Sequence, residues 1–148
     1  MMRAFLAVGL MALLASCTSR PMPEPPANLA GTSWRLVYFQ PGTVGANPVV
    51  PPRVDRYTAD FLADGTLALG LDCNRATARW AAIPSWRGAL SVTAGAMTRA
   101  HCGDGALDTR IAQDLEKIRS FKVEDGRLFL ALEDGAGTYV WRNVGGGS

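Results

Sequence analysis

The chain has 148 residues, 48% of them hydrophobic and 19% charged, with a formal charge of +2. This length supports one hydrophobic core and leaves too little for a second domain. The near-neutral balance, with no basic cluster, excludes the multiple phosphate contacts on which nucleic-acid binding depends.

Arg3 precedes an apolar stretch from Ala4 to Ala15 that closes on Leu14-Ala15-Ser16-Cys17. A positive start, an apolar run of about a dozen residues and small residues before a cut are the marks of a secretory signal peptide. The run is too short to span a bilayer, which needs roughly 20 apolar residues. The predicted leader is residues 1–16, which leaves fourteen basic against thirteen acidic side chains, about +1, on the rest. Residues 17–28 contain Pro21, Pro23, Pro25 and Pro26 and read as an extended tether, not as a helix or interior strand.

From Thr32 the pattern is that of strands. Trp34, Leu36 and Tyr38 alternate with Arg35, Val37 and Phe39, giving a first strand covered on both faces, with Trp34 and Tyr38 assigned to the core. Gln40 to Asp55 holds four prolines and two glycines and reads as a long loop. Strands follow over Tyr57 to Leu62 and Thr66 to Leu71, joined by Ala63-Asp64-Gly65, an Asp-Gly hairpin signal. Leu67, Leu69 and Leu71 should share a buried face. Arg75 to Ala81 and Ala89 to Thr93 are two more strands, separated by a turn at Pro84 and Gly88 that offers Trp86 as a candidate contact residue.

A helix is predicted from about Ala106 to Arg119, with Leu107, Ile111, Leu115 and Ile118 as its apolar stripe, Asp104 as cap, and Arg110, Gln113, Asp114 and Lys117 on a solvated face. A meander over Phe121 to Glu124, Arg127 to Glu133 and Thr138 to Arg142 places Leu128, Leu130 and Leu132 on one side, and residues 143–148 read as a flexible tail. Strands, one helix and more strands give the expected fold class: α+β, mostly antiparallel β, a curved sheet or open barrel with one α-helix packed on it.

Reactive chemistry is sparse. His101 is the single histidine, and no serine lies in a nucleophile-elbow pattern that would pair with it and Asp104. The remaining enzyme reading rests on His101 alone. Cys73, His101 and Cys102 lack the CxxC or HxxxH spacing of a zinc site, acidic residues gather at Asp-Gly turns, and no glycine-rich phosphate loop is visible. Neither a metal nor a cofactor is expected. In an oxidising compartment Cys73 and Cys102 are predicted to form a disulfide, the alternative being two buried thiols.

Two resemblances add to this reading. Leu14-Ala15-Ser16-Cys17 resembles the bacterial lipobox, which implies that Cys17 becomes the first residue of the processed chain and carries acyl chains such as palmitate. With Thr18 after it, the sequence is similar to lipoproteins sorted to the outer membrane and facing the periplasm. Phe61-Leu62-Ala63-Asp64-Gly65, Gly70-Leu71-Asp72-Cys73-Asn74-Arg75 through Trp80, and Thr98-Arg99-Ala100-His101-Cys102 resemble the META domain, or HslJ-like family, over residues 29–142. Asp72 and Ala78 stand where that family usually has glycine, and Gln40 to Asp55 is long for its position. The resemblance implies structural roles for Gly65, Asn74 and Thr98, no established enzymatic activity, and links to heat shock or antibiotic tolerance. It also implies a fold similar to that of pilotins, which hold an acylated peptide or lipid chain. The expectation is a non-enzymatic envelope lipoprotein that serves envelope stress tolerance or assembly, in contact with the membrane through its acyl chains and with an envelope protein or lipid through its domain. The alternatives are a pilotin-like carrier with a groove lined by the leucine faces, or an inhibitor of a secreted enzyme that acts through Gln40 to Asp55.

Overall fold

A computed structural model describes residues 29–83 and 88–145. The leader, Cys17, the tether, Trp86 and the last three residues lie outside the described residues. Eight strands, β1 (Thr32–Pro41), β2 (Tyr57–Phe61), β3 (Thr66–Leu71), β4 (Asn74–Ala82), β5 (Leu90–Met97), β6 (Ile118–Glu124), β7 (Arg127–Leu132) and β8 (Gly137–Gly145), surround one helix, α1 (Asp108–Asp114). They form a single sheet in the order β5-β4-β3-β2-β1-β8-β7-β6, antiparallel throughout. Sequence neighbours pair by hairpins, while the first and last strands meet at the centre. Register shifts in β1, β4 and β6 curl the sheet. Its two edges come together at one end, where Ala89 bridges Ser120 and the Phe121 N–H donates to the Gly88 carbonyl at 2.7 Å.

The concave face holds the core. Leu67, Leu69 and Leu71 from β3 and Leu128, Leu130 and Leu132 from β7 are all buried, packed in one cluster with Trp34, Tyr57, Tyr139 and Trp141. The leucine faces are thus consumed by the core and do not line a groove. Helix α1 crosses the strands at the middle of the sheet. The Tyr57 hydroxyl accepts the Leu107 N–H at 2.9 Å, Arg110 lies 4.2 Å over the Phe39 ring, and the Tyr139 hydroxyl donates to Asp114 Oδ2 at 2.8 Å. Leu107, Ile111 and Leu115 are the stripe it buries.

Several sequence expectations change here. The helix is half the predicted length: it gives way at Leu115–Lys117 to a 3-10 turn, and Ile118 opens β6. Ile118 stays buried on the same side because a strand that leaves the helix end toward the core satisfies the same apolar spacing. Asp104 does not cap the helix; Leu107 occupies the N-cap position without a side-chain bond. Asp114 is buried under Tyr139 and not solvated. In β1 the register shift between Leu36 and Tyr38 inverts the alternation, so Phe39 enters the core and Tyr38 is only half-buried. Asn143 to Gly145 are strand and not tail, pairing with β1 at Trp34 and Ser33. β5 runs on to Met97.

Candidate functional site

Residues Asp72 and Cys73 make the tight turn between β3 and β4, since Leu71 and Asn74 are already paired. Asp72 has φ +59, a left-handed conformation that Asp tolerates better than most residues. Its side chain is 1% exposed and accepts Arg53 Nη2 at 2.6 Å, with Arg56 Nη1 3.9 Å away. The carboxylate thus anchors the end of the Gln40 to Asp55 loop. That loop also folds back on β1 through paired backbone bonds between Phe39 and Val49 and through Gln40 Nε2 to the Ala46 carbonyl at 3.0 Å, leaving Val44 fully exposed. Ala78 is buried in β4 beside the register shift with β5 and does not have a positive φ, so its backbone does not call for glycine.

Cys73 is bonded to Cys102, with Cα atoms 5.4 Å apart, and joins this turn to the segment between β5 and α1. The bond also removes both thiolates from any zinc site. Asn74 is the hub. Its Oδ1 accepts the Thr98 hydroxyl at 3.0 Å and the Ala100 N–H at 2.7 Å, and its Nδ2 donates to the Ala100 carbonyl at 2.8 Å and to Asp108 Oδ2 at 2.9 Å. Thr98 Oγ1 in turn accepts the Arg75 N–H at 3.0 Å, and Arg53 Nη2 reaches the Cys102 carbonyl at 2.5 Å. Every polar atom of the Asn74 side chain is thus used to hold residues 98–102 against β4 and the start of α1. Gly65 stands apart, at the other end of β3, where φ is +81 and a Cβ would meet Arg79 Nη2 at 3.1 Å. Its role is to close the β2–β3 hairpin, with the Thr66 N–H on Asp64 Oδ1 at 2.8 Å. That bond, first among its causes, holds the Asp64 carboxyl below its usual value.

Beside the hub is a cleft of about 350 Å³. Met97, Arg99 and His101 form one wall, Thr109, Ala112 and Gln113 of α1 the other, and the buried Asn74 and Asp108 its base. Among the described residues the Arg99 guanidinium and the His101 ring have no hydrogen-bond or ionic partner, and both residues are exposed. The structure therefore brings Cys73, Cys102, Asn74 and Thr98 together and adds Arg99, Asp108, Thr109 and Gln113, which sequence reasoning did not select. The available signal was the run Thr98 to Cys102: a disulfide at its end forces its neighbours against whatever precedes the helix.

The META domain profile matches residues 27–144. The chain belongs to the META domain family. No curated protein matches the sequence. The META domain described here is similar to the crystal structure of a DUF4847 family protein from Bacteroides vulgatus ATCC 8482, with a TM-score of 0.62 at 14% identity, covering 77% of this chain and 93% of that one. It is also similar to the NMR structure of a protein from Burkholderia xenovorans, with a TM-score of 0.61 at 20% identity, covering 89% and 99% respectively. At these identities the likeness establishes the fold alone.

Proposed function

We propose that this META domain protein is a non-enzymatic lipoprotein of the cell envelope, anchored by acyl chains on Cys17, which presents the cleft between residues 97–101 and α1 to an envelope partner. The observation that carries the binding role is the rigidity of the rim. One disulfide, the Asn74 side chain and Arg53 all fix residues 98–102, while Arg99 and His101 on that segment are left exposed and unpartnered. A preorganised segment with free polar groups loses little conformational entropy on binding. The lipobox-like Leu14 to Cys17 and the proline-rich tether support the anchored setting. The leucines suggested for an acyl groove lie in the core, which removes the support for a carrier. A protruding-loop inhibitor keeps one specific observation in its favour, Val44 at the fully exposed tip of an anchored loop.

The test is in-cell photo-crosslinking from position 99 and, separately, from position 44, combined with palmitate labelling. Labelling abolished by Cys17→Ser, with one envelope protein recurring at position 99, is the expected result. Recurrence at position 44 alone assigns the loop and an inhibitor. Labelling that persists in Cys17→Ser overturns the anchor.

A further inference from the structure

Asp108 is an acid with half its bonding capacity unused. It opens α1, is 7% exposed and lies at the base of the cleft. Oδ2 accepts Asn74 Nδ2 at 2.9 Å and Thr109 Oγ1 at 3.5 Å, whereas Oδ1 has no donor and the carboxylate has no cationic partner among the described residues. Oδ1 is not a buried orphan: it is the accessible oxygen of a residue that lines the cleft. On the facing wall the Arg99 guanidinium, a planar fork shaped for a carboxylate, lacks an acceptor. Thus the cleft is lined by an acceptor, Asp108, and a donor, Arg99, together with His101 and the apolar surface of Met97 and Ala112. Its volume of about 350 Å³ is at the small end of ligand sites.

Resting on the reading of this cleft as a binding site, we propose that it takes a small zwitterion, with an ammonium group on Asp108 Oδ1 and an anionic group on Arg99, the two charges of an α-amino acid or very short peptide. A phosphoethanolamine headgroup shares the two charges, and the test separates the sources.

The experiment is calorimetric titration of the detergent-solubilised full chain with Ala-Ala, N-acetyl-Ala-Ala, Ala-Ala amide and free phosphoethanolamine. Expected is saturable binding of Ala-Ala, weakened at least tenfold by either blocking group. Arg99→Ala, at an exposed position whose loss leaves the core intact, should weaken Ala-Ala at least tenfold and abolish its advantage over the amide. Asp108→Asn, which keeps an oxygen for Asn74, should abolish the advantage of Ala-Ala over its N-acetyl form. Phosphoethanolamine binding more tightly than Ala-Ala, with the same Arg99 dependence, supports the site and assigns it to a headgroup. No binding of either zwitterion, or binding indifferent to both blocking groups or to Arg99→Ala, overturns the proposal. Partner capture at position 99 in cells alongside that negative result would remove only the ligand class and leave the binding role standing.

Discussion

At the scale of single residues, two side chains at the β3–β4 turn do work that their types do not announce. Asp72 combines a left-handed backbone with a buried carboxylate that ties down Arg53. Substitution to Ala and to Gly removes the same carboxylate, so the difference between the two variants isolates the backbone: Asp72→Ala should be less stable than Asp72→Gly by about 1 kcal/mol, measured by urea unfolding at neutral pH. Equal stabilities would show that the turn relaxes out of the left-handed region. Asn74→Ala strands the Ala100 N–H and one oxygen of Asp108 at once. A loss of about 2 to 4 kcal/mol is expected, since buried groups left without partners cost more than an average hydrogen bond contributes. A loss below about 1 kcal/mol in the same unfolding assay would mean that water replaces the amide.

At the scale of elements, the cleft exists because three connections meet. The β3–β4 turn, the segment between β5 and α1, and the end of the long loop are drawn together by the Cys73–Cys102 bond and by Arg53. Closing a span of 29 residues stabilises the folded state by about 3 to 4 kcal/mol in the chain-entropy description. The double variant Cys73→Ser, Cys102→Ser should lose that amount in denaturant unfolding and show faster amide exchange over residues 98–103 than over β7. Unchanged exchange in that segment would mean that Asn74 suffices to hold the rim. The helix teaches a related lesson. The stripe Leu107, Ile111, Leu115, Ile118 predicts one continuous helix, yet the chain turns into β6 after Lys117. A spacing of three between Leu115 and Ile118 is met as well by a 3-10 turn entering a strand, and only the pairing of Ile118 with Leu132 decides between them.

At the scale of the whole molecule, the barrel and its helix are coupled by two buried tyrosines that hold their protons. Burial, followed by the bond to Asp114, pushes the Tyr139 hydroxyl far above its ordinary value of 10.0, and burial raises Tyr57 as well. Below pH 10 both are neutral folded and unfolded, and their contribution to stability is fully present. As pH rises beyond 10 the unfolded chain releases these protons while the native state keeps them, so stability falls until the folded values are reached. Tyr139→Phe should therefore flatten the fall in unfolding free energy between pH 9 and 11. At pH 7 it should cost about 1.5 to 3 kcal/mol, the range for a hydrogen bond to a charged group. A fall as steep as that of the parent would place the alkaline sensitivity on Tyr57 and other groups.

The sequence by itself determined the class of fold, because period-two leucine runs and Asp-Gly turns are local signals: β2, β3, β6 and β7 pair as hairpins where the turns say they should. The motif residues around Cys73 and Cys102 resembled a family to which the chain belongs. Tertiary structure alone decided the pairing of β1 with β8, which joins the ends of the domain and has no local signature, and the register shift that exchanges Tyr38 for Phe39 in the core. It also decided the cleft. Asp108 in a helical first turn reads as a favourable charge near a dipole, and Arg99 as one more surface cation; the Cys73–Cys102 bond, the Asn74 side chain and Arg53 together bring them to one cleft. Local propensity records what a residue prefers for its own backbone, whereas a site depends on which separated segments the core forces into contact.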